Sequence, residues 1–514
     1  MTDLVRPRLL ALLPVLPLMG AACTWTHEGP PPLLRPPPPD YLLETSGASH
    51  GRAEAEDSPD DPPAAGGGGA SNDPADRKAT QVALRAQWWS AFADPALDAL
   101  MQEAMMNNPA IRDLRGLYHE IQLTPARPNG PLWPLQIGVP VTVERSSRTS
   151  PLGPTSGIGV TNNDASASVT ASYQLDVFGQ LASQRRAFDD LAAIQGQSAE
   201  ATVQNIAAAI AQTWFDILAE RALLDVIEQQ VKLNEDLAVL VKDRFEMHLT
   251  TRLAVMQQQQ QLLNTRAQVP LVTARLALLA SQMTALLGRA PSPSTAMVPE
   301  DRRLPELPPA VLAGVPTDLV ETSPDVRGAE ARVAEAEHRL GVNRASWLPV
   351  VSLFGAAGWQ TYNFQQPTTF DDKSAFATWS FGVRLTWPIF DGGQRLTEAK
   401  QLTLTIKRRS MLYEQVFLDV VRSVQDAQIQ EAKQADNVRT LRAEVELGRK
   451  VLTEARQLFE QGLSDYLSVL TALGNLSDLQ RALIAAQRTL LFHRVQLYRA
   501  LGGTWSQAIV DIED

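Results

Sequence analysis

The chain has 514 residues, with 57 acidic against 46 basic side chains for a formal net charge of −11, six His and one Cys. One Cys excludes an intramolecular disulfide framework, and the acidic balance argues against a nucleic-acid partner held through phosphate contacts. His27, His50, His119, His248, His338 and His493 lie far apart and form no short-range metal motif. No run of about 18 consecutive apolar residues occurs, so no uninterrupted helical membrane span is expected.

Arg6 and Arg8, the apolar stretch Leu9 to Leu18 and the small residues Gly20-Ala21-Ala22 read as an export signal over residues 1–22. Cys23 follows at once. The arrangement resembles a bacterial lipoprotein signal, which implies that Cys23 becomes the N-terminus and carries covalent lipid, a diacylglycerol and an N-acyl chain such as palmitate. In that resemblance Thr24 points to the outer membrane. Several acyl chains at about 0.8 kcal/mol per buried methylene would hold the chain firmly.

Residues 23–82 contain Pro30-Pro31-Pro32, Pro36 to Pro39 and Gly66 to Gly69 with few large apolar residues, a composition that gives a tether and not a core. Beyond it the chain is duplicated. Phe245-Glu246, Leu249 and Leu253-Ala254-Val255 recur 214 positions later as Phe459-Glu460, Leu463 and Leu467-Ser468-Val469, and Leu287-Gly288 recurs as Leu501-Gly502. Two copies of one large unit are expected, at 83–290 and 324–506, joined by a connecting segment at 291–323 and followed by a tail at 507–514.

Each copy opens with two segments of period two. Ile137, Val139, Val141 and Val143 mark a strand at about 135–146, and Ala165 to Val177 one at about 164–178. Val351 to Trp359 mark a third at about 349–360, and Trp379, Phe381, Val383, Leu385, Trp387 and Ile389 a fourth at about 378–390. One apolar face suits a transmembrane β-strand. Four strands cannot close a barrel, and an open edge in lipid leaves backbone groups unpaired, so spanning strands must be pooled between subunits; three chains would supply about twelve.

From about Gln180 to Met247 and again from about Gln394 to Gln461 there is no proline and little glycine, which predicts two helices on the order of 100 Å long. Return helices at about Leu249 to Leu287 and Leu463 to Leu501 make each unit a hairpin, the first kinked at Pro270. The Gln257 to Gln261 run reads as a solvated helix face. The fold class is thus mainly α with membrane β.

These residues resemble the TolC-like outer-membrane efflux proteins, in particular their lipoprotein branch. The likeness rests on Trp88-Trp89 with Phe92, Asp94-Pro95, Leu97 and Leu100, on Gln174-Leu175-Asp176-Val177-Phe178-Gly179, on Pro388-Ile389-Phe390-Asp391-Gly392-Gly393, and on Leu497 to Trp505. At Glu321-Thr322-Ser323-Pro324-Asp325 the chain departs from the family's Arg-Arg-Pro-Asp. The resemblance implies a homotrimer whose β-barrel in outer-membrane lipid continues into an α-barrel, closed at the helical tips. Cargo would come from an inner-membrane pump through a periplasmic adaptor, with no bond chemistry, no enzyme activity and no cofactor beyond the lipid. Gly462 to Leu467 is similar to the family's constriction segment. There Leu467 takes the apolar position and Thr471 stands where an Asp is common, so the acidic ring is either missing or replaced by Asp465; His248 occupies in the first tip the place of Gly462 in the second. A lipid-anchored coiled-coil structural or adhesive protein is the rival reading, but it has no use for four one-faced strands.

Overall fold

A computed structural model describes residues 87–126, 134–149, 159–292, 304–309, 322–365 and 371–502; the signal, Cys23, the tether and the tail lie outside them. In chain order the elements are α1 (Pro95–Asn107), α2 (Pro109–Ala126), β1 (Leu135–Gly138), β2 (Val141–Thr149), β3 (Gly159–Leu175), α3 (Gln180–Glu246), α4 (Arg252–Arg266) and α5 (Val269–Leu286). The second half supplies α6 (Pro324–Ala345), β4 (Val350–Gln365), β5 (Asp371–Thr386), α7 (Gln394–Glu460) and α8 (Tyr466–Leu501).

The first expected strand is two, because Pro140 has no N–H to give the ladder; both pieces pair with β3 in continuous antiparallel register. The second and fourth end earlier than the alternation suggested. Asp176 leaves β3 to accept from the Leu181 and Ala182 N–H groups at 2.9 and 2.8 Å, capping α3. Asp391 does the same for α7, accepting from the Gly393 and Arg395 N–H groups at 3.1 and 3.0 Å. Pro388 stops β5 at Thr386, and Trp387 instead donates its indole N–H to the Trp347 carbonyl at 3.1 Å.

The sheet order is β1 and β2, then β3, β4 and β5. Register puts Val141, Ala167, Trp359 and Ala377 in one row, and Ile137, Ala171, Gly355 and Phe381 in another. The alternate rows read Thr142, Ser166, Gln360 and Phe376, or Gln136, Ser172, Phe354 and Gly382. One face is therefore apolar and the other rich in Ser, Thr and Gln. The apolar face is bare: Trp379 is 80% and Phe381 82% exposed. Gly358 sits where any Cβ would lie 2.2 Å from the Ala167 carbonyl oxygen, so the β3–β4 approach demands glycine.

Helices α3 and α7 each run 67 residues, roughly 100 Å at 1.5 Å per residue. Their partners differ. Helix α8 is continuous, whereas α4 and α5 are separated at Ala267-Gln268, with Pro270 in the first turn of α5, where its missing N–H costs nothing. The stretch Arg252–Leu286 is apolar enough in composition to cross a membrane, contrary to the expectation that none would be. The break and its packing along α3 make it one side of a hairpin instead.

Around the wall the order is α4–α5, then α3, then α6 with α8, then α7, and for α3, α6 and α7 this is the order of β3, β4 and β5, the strands joined to them. The core sits midway along α3. There Ala207, Ala208 and Ala211 let Trp214 and Phe215 meet Trp88, Trp89, Phe92, Leu97 and Met101. Asp94 caps α1 through the Ala96 N–H at 3.0 Å and takes the Trp214 indole N–H at 2.8 Å, while Trp88 stacks on Tyr498 at 5.5 Å. Arg494, 1% exposed, pairs with Glu431 through two 2.7 Å bonds and donates to the Pro308 and Pro309 carbonyls, pinning the connecting segment to α7 and α8.

The duplication is visible where each return helix meets the short helix of its own half. A Cβ on Gly288 (φ +77°) would lie 2.3 Å from the Asn107 carbonyl oxygen, and one on Gly502 (φ +68°) 2.5 Å from that of Thr322. Thr322, in the segment that departs from the family sequence, donates its hydroxyl to the Leu501 carbonyl at 3.2 Å. Gly288→Ala and Gly502→Ala should each destabilise by at least about 1–3 kcal/mol from left-handed backbone alone, with the clash in addition. Gly474→Ala, in the α8 interior with nothing near its Cβ, should be neutral or gain up to about 1 kcal/mol. Denaturant unfolding of the three variants decides; equal effects would refute the junction argument.

Candidate functional site at the hairpin tips

The two tips are one backbone turn written in different residues. His248 (φ +63°) and Gly462 (φ +77°) both take the left-handed position after a helix end. The His248 N–H donates to the Phe245 carbonyl and the Leu249 N–H to that of Arg244, at 3.0 and 2.8 Å; Gly462 and Leu463 repeat this on Phe459 and Leu458 at 3.0 and 2.9 Å. This is the Schellman closure, in which glycine is favoured and histidine bears a conformational cost.

Asp465 is an N-cap. Its Oδ1 accepts from the Ser468 N–H at 3.2 Å and the Ser468 hydroxyl at 3.1 Å, and its counterpart in the first tip, Thr251, caps α4 through the Ala254 N–H at 3.3 Å. The other two expected positions are both exposed. Leu467 is 56% exposed and Thr471 lies one turn on along the same exposed stripe of α8, which continues through Asn475 to Asp478. Asp478 is the carboxylate on that stripe that the sequence reading missed; its offset of seven from Thr471, two turns, was the available signal.

Two ties join the tips. Arg244, on the last turn of α3, donates from Nη1 to the Phe459 and Glu460 carbonyls at 2.6 and 2.9 Å and lies 4.6 Å over the Phe459 ring, a cation set against the C-terminal carbonyls of α7. Tyr466, the first residue of α8, donates its hydroxyl to Gln258 Oε1. Gln258 is 0% exposed, so the glutamine run is not a uniformly solvated face as expected. Ala254, Gln258 and Thr265 share the inward face of α4. Gln258 Nε2 donates to the Asn234 carbonyl at 2.6 Å, and Asn234 Nδ2 to Thr265 Oγ1 at 3.2 Å and to the Gln230 carbonyl at 2.9 Å. Burial pushes the Tyr466 hydroxyl up to about 12, so it stays a donor at physiological pH.

The second half has none of this polar chain. The positions matching Asn234, Gln258 and Thr265 are Gly448, Ala472 and Leu479, where Leu476 and Leu479 methyls pack against the Gly448 backbone, 3.4 and 3.3 Å from where a Cβ would stand.

Residues 100–289 and 315–503 match the sequence pattern of the outer membrane efflux protein family. The chain belongs to that family. The toluene efflux pump outer membrane protein TtgF of Pseudomonas putida is 28% identical over 440 residues, 81% of this chain and 85% of its own. The pyoverdine export outer membrane protein OpmQ of Pseudomonas aeruginosa is 26% identical over 438 residues, covering 82% and 87%. The solved outer-membrane channel OprN has the same fold, with a TM-score of 0.70 at 21% identity over 82% of this chain and 93% of that one. This protein is therefore an efflux channel of the outer membrane, and its long hairpins and small sheet are those of the TolC-like fold.

Tyr466→Phe removes the donor to Gln258 and leaves a buried amide oxygen unsatisfied, a cost of about 1–3 kcal/mol. It should speed hydrogen exchange of amides 247–251 and 462–466, and pairing it with Gln258→Leu should recover part of the loss. Exchange rates equal to wild type in the single variant would remove the tie.

Proposed function

We propose that this efflux channel is completed by three copies of the chain, anchored by lipid on Cys23, and that it receives cargo from an inner-membrane pump through a periplasmic adaptor that meets the helical tips. The observation that carries the reading is the pair of unpartnered edges. In the sheet these are β1–β2 and β5; in the helical layer they are α4–α5 and α7, in the same order. Met256 and Leu263 near the tip on one helical edge, and Leu404, Met411 and Leu418 near the sheet end of the other, are exposed at seven-residue spacing, apolar positions open to further helices. Edge to edge, three chains give about twelve strand positions, within the range of known barrels. The names of the efflux-pump relatives support the partners, and the lipoprotein-like sequence at 1–24 supports the anchor.

At the tips, Leu467 forms the apolar ring of the gate and Thr471 the ring above it. Asp465 places three carboxylates at the mouth, with Gly462 and His248 setting the turns. Asp465→Asn keeps the cap, since Asn caps about as well as Asp, and removes the charge. In planar bilayers it should lower cation preference about twofold, whereas Asp465→Ala should also lose about 1 kcal/mol of stability. Light scattering on detergent-extracted protein should give three chains per particle; a monomer that does not conduct would sink the channel assembly.

The anchor has its own test. Cys23→Ser should leave the protein in the outer-membrane fraction, because the strands insert, but with less of it properly assembled. A soluble, folded product would refute insertion by the sheet, and a variant with undiminished assembly and unchanged mass would refute lipidation.

A further inference from the structure

On the polar face of the sheet, charge is sparse and placed at the two ends. Glu144 and Asp164 are register partners at the end far from the helices. Arg384 lies two residues before β5 ends at Thr386, on the helical side. Asp164 aligns through Tyr362 with Ser374, so the separation is ten residues, roughly 33 Å along the strand. Between them this face carries Ser, Thr and Gln with Phe354 and Phe376.

Arg384 is held. Its Cζ stands 4.9 Å from the centre of the Phe354 ring, within the reach of cation–π attraction. Phe354 in turn lies on Gly382, where a Cβ would meet the ring at 3.0 Å, so glycine lets the ring rest on the backbone and present its face to the guanidinium. Among the described residues Arg384 is exposed and has no carboxylate partner. A guanidinium oriented by an aromatic ring and not neutralised by an acid keeps its charge for whatever passes.

We infer that Arg384 is a specificity-determining residue of the channel, forming with its two copies a cationic ring that favours anionic solutes where the helical duct enters the β-barrel. The inference rests on the three-chain barrel proposed above, with the polar face toward the pore. Rings of Arg or Lys select anions in this way, and three charges around a water-filled lumen act over about 10 Å at 0.1 M salt. An organic carboxylate or sulfonate leaving the helical duct meets this ring before the acidic end.

The test is the reversal potential of full-length channels in planar bilayers under a tenfold KCl gradient. The background is Leu467→Ala with Asp465→Asn, in which the Leu467 constriction and the Asp465 charge are removed, and every variant is compared in it. Arg384→Gln should lower the chloride-to-potassium permeability ratio about twofold to threefold, Arg384→Lys should restore most of it, and Phe354→Leu should give an intermediate value because the charge stays but its anchor is lost. An unchanged ratio in conducting Arg384→Gln channels would overturn the ring while leaving the barrel intact. Failure of the background protein itself to form trimers or conduct would overturn the barrel reading, and the ring with it.

Discussion

An unpaired backbone N–H or C=O in hydrocarbon costs several kcal/mol, and every feature of this chain answers to that constraint. The sheet has an apolar face and two edges without partners. A face of Trp, Phe, Val and Leu suits lipid; open edges do not. In the proposed three-chain assembly the edges are closed by other copies, which must then meet in matching register. β3 and β5 run on into α3 and α7, and α6 leads into β4, so the order of these three strands is carried into the helical layer. Closing one layer aligns the edges of the other. Asp176 and Asp391 are the joints of that continuity, since each carboxylate follows a strand and caps the long helix after it.

Much of this was legible in the sequence because its cause is periodic. Period two gave the one-faced strands, proline-free Ala and Leu-rich runs gave α3 and α7 to within a residue, and Pro270 located the break between α4 and α5. The losses are equally physical. Alternation continues through Val177 and Ile389, but a capping Asp and Pro388 end the ladders first, because hydrogen bonding and not polarity defines a strand's end. Short helices α2 and α6 went unpredicted because their amphipathic faces are satisfied by α3 and α7, partners remote in sequence.

The tip was read less well, for a different reason. A carboxylate in a loop suggests a charged ring; only the backbone turn adds that the Oδ1 of Asp465 also accepts from the Ser468 N–H and hydroxyl and caps α8. Five glutamines suggest solvent, yet Gln258 falls on the inward face set by Ala254 and Thr265. For the glutamines composition was right about chemistry and wrong about address. Arg384 shows the same limit: nothing in its neighbours in sequence says that it will share a face with Phe354, a residue of the adjacent strand.

The duplicated halves keep the backbone and exchange the chemistry of the interior. Where the first hairpin buries Asn234, Gln258 and Thr265, the second has Gly448, Ala472 and Leu479, with Ala472 buried and the other two partly so. A buried amide chain has few arrangements that satisfy all its donors and acceptors, so it fixes the register of α4 on α3. Leucine against glycine has no such directionality, and contacts of that kind tolerate sliding at little cost. The first hairpin is thus the rigid half, and at the tips the second is held to it by Arg244 and Tyr466. Those two side chains act on opposite ends of one turn, the carbonyls that close α7 and the residue that opens α8. Displacing the second tip therefore breaks both ties together.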